Sequence, residues 1–386
     1  MTYKQLLHIL VIVCLWFTAS GLAYSKLGNS KLANSKLASE GENWPDWQRF
    51  KQIMLSPDGR VIDYSGDNAI TTSEGQSYGM FFALVNNEPT TFEKLFNWTQ
   101  NNLADGNLKT NLPAWQWGEK EQKWGIMDSN SASDSDLWIA YNLLEAAKLW
   151  DNKHYQEVGL ALSKLILEQE TANIPGLGFT LLPGKIGFTK TKTSWKLNPS
   201  YVPIQLLRAM LKHTKDQRWQ ALIDSSNKLI VDTAPKGFSP DWIIYQQDEG
   251  FSNKPQIGSY NAIRVYLWAG MLDDQEPLKQ LHLQAFRPMA DYMENSLLPP
   301  EKVNHITGQV TGNGPIGFTA ALLPFLNASD AKTAQVNQLI RLITHPLSSK
   351  PKRYYDQVLG LFGVGWVQKR YTFDKHGHLV PRWYSQ

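Results

Sequence analysis

Two carboxylates in this chain stand where acid chemistry could be done, each at the start of a predicted helix. Glu74 lies in Ile70-Thr71-Thr72-Ser73-Glu74-Gly75-Gln76-Ser77-Tyr78-Gly79-Met80, and Asp134 in Asp128-Ser129-Asn130-Ser131-Ala132-Ser133-Asp134-Ser135-Asp136. Ser73 reads as an N-cap, because Met80, Phe81, Leu84 and Val85 then recur at helical spacing. Glu74 is then held in the first turn, with Gly75 and Gly79 keeping the backbone open to a ligand. A carboxylate there also suits the helix dipole, and Ser133 or Asp134 also suits a helix cap. Chemistry is favoured by the constellation, two acid-bearing helix starts with Trp115, Trp117 and Trp124 between them. One carboxyl of such a pair protonates a leaving oxygen; the other orients or activates water, or stabilises oxocarbenium charge.

Other chemistries find no support. The eight histidines are scattered and no HExxH accompanies the acids, so neither a metal nor another cofactor is expected. No GxSxG and no phosphate-binding glycine loop occurs, which excludes the usual signals of acyl and phosphoryl transfer. A net charge of +3 on 386 residues argues against nucleic acid or an anionic membrane as partner. Tryptophan is in excess at 15 residues, and its flat faces suit both core packing and the C–H faces of sugar rings.

The elements that must hold these residues read as helices. Periodicity marks 45–55, 73–87, 90–103, 134–150, 153–170, 200–213, 217–232, 259–272, 278–295, 315–326, 330–343 and 353–368. Apolar helices alternate with more charged ones, which suggests a closed toroid of inner and outer helices; no 34- to 47-residue period supports a solenoid. Short extended pieces at 176–182, 184–189 and 371–373 read as small β-hairpins on one face.

Residues 1–23 read as a secretory signal peptide: Lys4, an apolar run from Leu6 to Phe17, then Gly21-Leu22-Ala23. The run is short for a membrane span, so no stable span is expected after cleavage. The only cysteine, Cys14, lies in this leader. Residues 24–43 carry a degenerate pentapeptide repeat (Ser25-Lys26-Leu27-Gly28-Asn29 and two further copies) and read as a flexible linker. No composition break follows, so 44–386 is read as one domain, exported to the periplasm or beyond.

Five segments taken together resemble glycoside hydrolase family 8, in its branch of periplasmic endo-1,4-β-glucanases that accompany bacterial cellulose synthase. They are Thr72 to Met80, Ser131 to Asp136, Asn198-Pro199-Ser200-Tyr201, Lys236-Gly237-Phe238-Ser239-Pro240-Asp241-Trp242, and Ser259-Tyr260-Asn261-Ala262-Ile263-Arg264. The resemblance implies an all-α (α/α)6 barrel and inverting hydrolysis of β-1,4-glucan, with a cellulose-synthase complex as a further partner. It assigns Glu74 as proton donor and Asp134 as the acid of the family signature, for which a substrate-orienting, charge-stabilising role suits inversion. Tyr201, Tyr260 and Arg264 match the cleavage point, and Trp115 is expected to stack on a sugar. Two departures stand out. Ser135 replaces the usual Ala or Gly, with little expected consequence, and Asn261 occupies the position of the aspartate base. An amide cannot take a proton from water near neutral pH. Chitosanase or xylanase specificity therefore stays open, as does a catalytically silent glucan-binding protein; a helical adaptor would leave the active-site matches unexplained.

Overall fold

Five helices of this chain are buried on nearly every side, which suits the inside of a ring of helices. The computed structural model describes residues 43–66 and 69–384, all within one compact unit. Its helices are α1 (Pro45–Met54), α2 (Ser73–Val85), α3 (Pro89–Leu103), α4 (Ser133–Trp150), α5 (Lys153–Gln169), α6 (Ile204–Thr214) and α7 (Arg218–Asp232). They continue as α8 (Ala262–Gly270), α9 (Lys279–Ala285), α10 (Arg287–Asn295), α11 (Ile316–Ala328), α12 (Lys332–Thr344) and α13 (Tyr354–Val367). Helices α2, α4, α6, α8, α11 and α13 form the inner ring; α3, α5, α7, the α9–α10 pair, α12 and α1 back them in turn. This is the (α/α)6 barrel. The leader expected at 1–23 lies outside the described residues, as does the repeat linker save Asn43. No helix among the described residues is long and apolar enough to cross a membrane.

Aromatic rings fill the axis. Tyr78, Phe81 and Phe82 of α2, Trp138 of α4, Trp268 of α8 and Phe362 of α13 meet with centroids 4.8–5.9 Å apart. Small residues let the inner helices close. A Cβ on Gly363 would lie 1.8 Å from the Ala320 carbonyl oxygen, so α13 and α11 touch backbone to backbone.

Five small antiparallel sheets join the helices among the described residues. Strands β1 (Thr71–Thr72), β2 (Gln116–Lys120) and β3 (Lys123–Asp128) form one of them, at the N-terminus of α2. The hairpin of Tyr371–Phe373 with Leu379–Pro381 follows α13 and packs against the C-terminal part of α4, where Tyr141 donates to the Gly377 carbonyl at 2.9 Å.

Three local expectations are corrected. Thr72, not Ser73, caps α2: its hydroxyl accepts from the Gly75 N–H at 3.1 Å, and Ser73 is already helical. The helix expected at 200–213 begins only at Ile204, after a 3-10 turn at Pro199–Tyr201, because Pro203 has no N–H to continue it. The one expected at 278–295 breaks at Phe286, where Pro288 starts a second helix.

Candidate active site

The Thr72 cap fixes Glu74 in the first turn of α2, and the strand before it fixes the cap. The Ser73 N–H donates to the Trp115 carbonyl at 3.0 Å, and the Trp115 N–H to the Asn130 carbonyl at 2.8 Å. One residue thus ties the Glu74 helix start to the loop that delivers Asp134. That loop is fastened again by Ser133 N–H to the Pro183 carbonyl and Lys185 N–H to the Ser131 hydroxyl. Gln76 is a brace: its amide binds the Val61 N–H, the Gly59 carbonyl and the Thr99 hydroxyl. Gly75 and Gly79 face Val61, Tyr354 and Leu95, so they make room for packing neighbours and not for a ligand.

Arg264 draws the site together from one turn inside α8. Its Nη1 donates to Glu74 Oε2 at 2.6 Å, to the Tyr78 hydroxyl at 2.9 Å and to Asp134 Oδ2 at 3.1 Å. Its Nη2 donates to Asn261 Oδ1 at 3.0 Å and to the Ser200 hydroxyl at 3.2 Å. Asn198 Nδ2 also donates to Asn261 Oδ1, at 3.2 Å. Both donors are fixed in identity, since Arg264 cannot accept and Asn198 Oδ1 already takes the Ser200 N–H and hydroxyl. The Asn261 carbonyl oxygen is therefore occupied by two protein donors, and its NH2 is what remains for a ligand.

The charges sort themselves. Burial raises the Glu74 carboxyl above its ordinary range, Arg264 opposes this, and Asp134 adds to it. Burial raises Asp134 as well, against Arg264 and the Ser135 N–H and hydroxyl. Two carboxyls that share one buried guanidinium titrate as a coupled pair, and burial favours a proton held between them. The Glu74 side chain is 23% exposed against 5% for Asp134, so Glu74 is the one open to the cleft.

A comparison with known families decides what this constellation belongs to: the glycosyl hydrolases family 8 model matches residues 23–369. The chain belongs to glycosyl hydrolase family 8. It is 48% identical over 344 residues to an endoglucanase of Escherichia coli (strain K12), covering 88% of this chain and 91% of that one. An endoglucanase of Xanthomonas axonopodis pv. citri (strain 306) is 43% identical, over 88% of this chain and 89% of its own length. Among solved structures, an endo-1,4-D-glucanase from Vibrio fischeri ES114 superposes with TM-score 0.85 at 46% identity, covering 88% of this chain and 99% of that one.

Around the two acids, this family 8 chain arranges its aromatics unevenly. The Arg264 guanidinium lies 5.7 Å from the Tyr201 ring centroid, and Tyr201 in turn leans on Trp242 at 5.8 Å. Tyr260 is 46% exposed at the start of α8, its ring edge-on to Phe318 and its carbonyl accepting from Tyr355. Trp115 is half-buried, and Asp128 is held below its ordinary range by the Asn130 N–H and the Trp115 indole. Trp117 stacks on exposed Trp124 at 5.3 Å, with the Arg60 guanidinium 4.6 Å and 4.9 Å from the two rings.

Several contributors went unnoticed in the sequence. Tyr354 donates to Glu74 Oε1 at 3.2 Å from 280 residues away, which no local pattern reveals. Asp241 takes the N–H groups of Ser259, Asn261 and Ala262 on one oxygen, at 2.7–3.0 Å, and so caps α8. It stands in a segment that carried the family resemblance, which was the available signal. Ser135, expected to matter little, adds a hydroxyl hydrogen bond of 3.2 Å to Asp134. Behind Asp134, Asp136 and Glu170 form a fully buried pair; burial pushes Glu170 up to about 8, and Ser131 donates to it at 2.5 Å.

Proposed function

We propose that this chain is an exported endo-1,4-β-glucanase that cleaves internal bonds of cellulose-like glucan with inversion, beside a bacterial cellulose-synthesising machinery. The observation that carries the reading is the convergence of Glu74 and Asp134 on one Arg264 nitrogen, next to Asn261. In this reading Glu74, kept protonated by burial, gives its proton to the leaving oxygen. Asp134 stays charged, orients the sugar and stabilises the developing oxocarbenium ion. Tyr201, Tyr260 and Trp115 hold the glycan. Endoglucanase relatives support the substrate class, and the apolar run at 6–17 supports export.

The base is the open part of the chemistry. Inverting carboxyls stand about 6.5–9.5 Å apart, whereas Glu74 Oε2 and Asp134 Oδ2 are separated by at most about 5.7 Å, the 2.6 Å and 3.1 Å bonds laid end to end. That spacing suits an orienting acid better than a base. Asp248 and Glu249, two nearby loop acids, are exposed at a hairpin tip. Asp241 lies directly against the Asn261 backbone, where its Oδ1 is taken by three N–H groups, so only its second oxygen is left as a candidate base. The same amide at 261 favours a second reading, a slow or silent glucan binder.

Side-by-side digestion of cellulose, xylan and chitosan, with proton NMR of the first product anomer, tests the proposal. Soluble β-1,4-glucan should be cleaved fastest, yielding the α-anomer first. Preference for chitosan or xylan would move the substrate class, and a β-anomer would remove inversion.

A further inference from the structure

Far from the acids, the structure gathers a second polar cluster inside the barrel wall. Glu145 of α4 is fully buried and receives two imidazoles on one oxygen: His213 Nε2 at 2.7 Å and His378 Nδ1 at 2.8 Å from Oε1. The three donor atoms lie within 4.8 Å of one another. Glu145 follows Asp134 by eleven residues on the same helix, about 16 Å along its axis, so this is not an annex of the active site.

We infer that Glu145, His213 and His378 form a structural binding site for a divalent transition-metal ion of the zinc class. Two imidazoles and one carboxylate are the donor set such an ion takes, with water in the fourth position. The imidazole side chains are 14% and 16% exposed, which leaves that position reachable from solvent. A tetrahedral ion with bonds of about 2.0–2.1 Å needs its ligands about 3.3 Å apart, so the two O···N gaps open by about 0.5 Å and the N···N gap, within 4.8 Å, closes by up to about 1.5 Å.

The supports of the three donors are already in place. The Leu379 N–H donates to Glu145 Oε2 at 3.1 Å, leaving Oε1 to face the rings. Asp374 Oδ1 accepts the His376 and His378 N–H groups at 2.8 and 3.0 Å, which sets the turn carrying His378. Gly377 lies so close to α6 that a Cβ there would stand 1.7 Å from the Gln205 carbonyl oxygen. Such outer contacts orient metal ligands elsewhere. A divalent ion held here staples the C-terminal hairpin to α4 and α6.

The test uses the protein purified without a polyhistidine tag, stripped by chelator and dialysed against micromolar Zn2+. Wild type should retain about one ion per chain, show the visible bands of tetrahedral Co2+ after exchange, and melt higher with Zn2+ than without. His378→Asn, a change in a surface turn, should bind at least about tenfold more weakly and lose the Zn2+-dependent rise. His213→Gln should do the same. Less than a tenth of an equivalent on wild type, or equal binding by both variants, would overturn the site.

Discussion

At the scale of single residues the account turns on who holds which proton. Glu74→Gln removes the acid while keeping a hydrogen-bonding side chain. It should lower kcat on unactivated glucan about 10²–10⁴-fold and leave oligosaccharide affinity unchanged. Asn261→Asp puts a carboxylate where two donors, Arg264 and Asn198, already converge on the side-chain oxygen. Turnover should rise by up to about 10²–10⁴-fold if that aspartate becomes the base. The added negative charge beside the site should also raise the Glu74 carboxyl further, moving the alkaline limb of the pH–rate profile to higher pH. A wild type that is already fast, with Asn261→Asp unchanged or slower, would assign the base elsewhere. Asp241→Asn and Asp134→Asn then identify it.

At the scale of elements, helix starts and buried pairs carry the site. Thr72→Ala deletes the cap of α2 and should cost about 1 kcal/mol in a denaturant titration, with a larger proportional loss of kcat than of affinity. The Asp136–Glu170 pair makes stability pH-dependent. Glu170 moves from an ordinary 4.5 to about 8, so between those values the folded protein holds more protons than the unfolded chain. Its stabilisation is complete below about pH 4.5 and is lost as pH rises through about 8. Melting temperature should therefore fall from pH 5 to 8, and Glu170→Gln should flatten that fall; parallel curves would absolve the pair. Much of this level was legible in the sequence, because Glu74, Asp134 and Asn261 each mark a helix start through local patterns. The cap slipped by one residue because Thr72 and Ser73 are both capping residues and only the structure shows which hydroxyl meets the Gly75 N–H. Partners separated by long stretches of chain were not legible. Tyr354 reaches Glu74 across 280 residues, and His213 and His378 reach Glu145 across 68 and 233.

At the scale of the whole molecule, the barrel brings α2, α4 and α8 to one axis so that three distant segments share a single guanidinium. Closure depends on inner helices touching where they carry glycine. Gly363→Ala should destabilise by about 1–3 kcal/mol or more, since the added methyl meets backbone and not a movable side chain. Its melting temperature checks this, and an unchanged value would mean that α13 has slack against α11. The central claim, that this ring exists to cleave β-1,4-glucan with Glu74 as acid, is tested most directly by one assay. Reducing ends are counted as carboxymethyl cellulose loses viscosity, for wild type and Glu74→Gln at equal concentration. The account predicts a rapid viscosity loss with few new ends in wild type, and at least about a hundredfold slower reaction in the variant. Wild type and variant cleaving at rates within about tenfold of each other would contradict it.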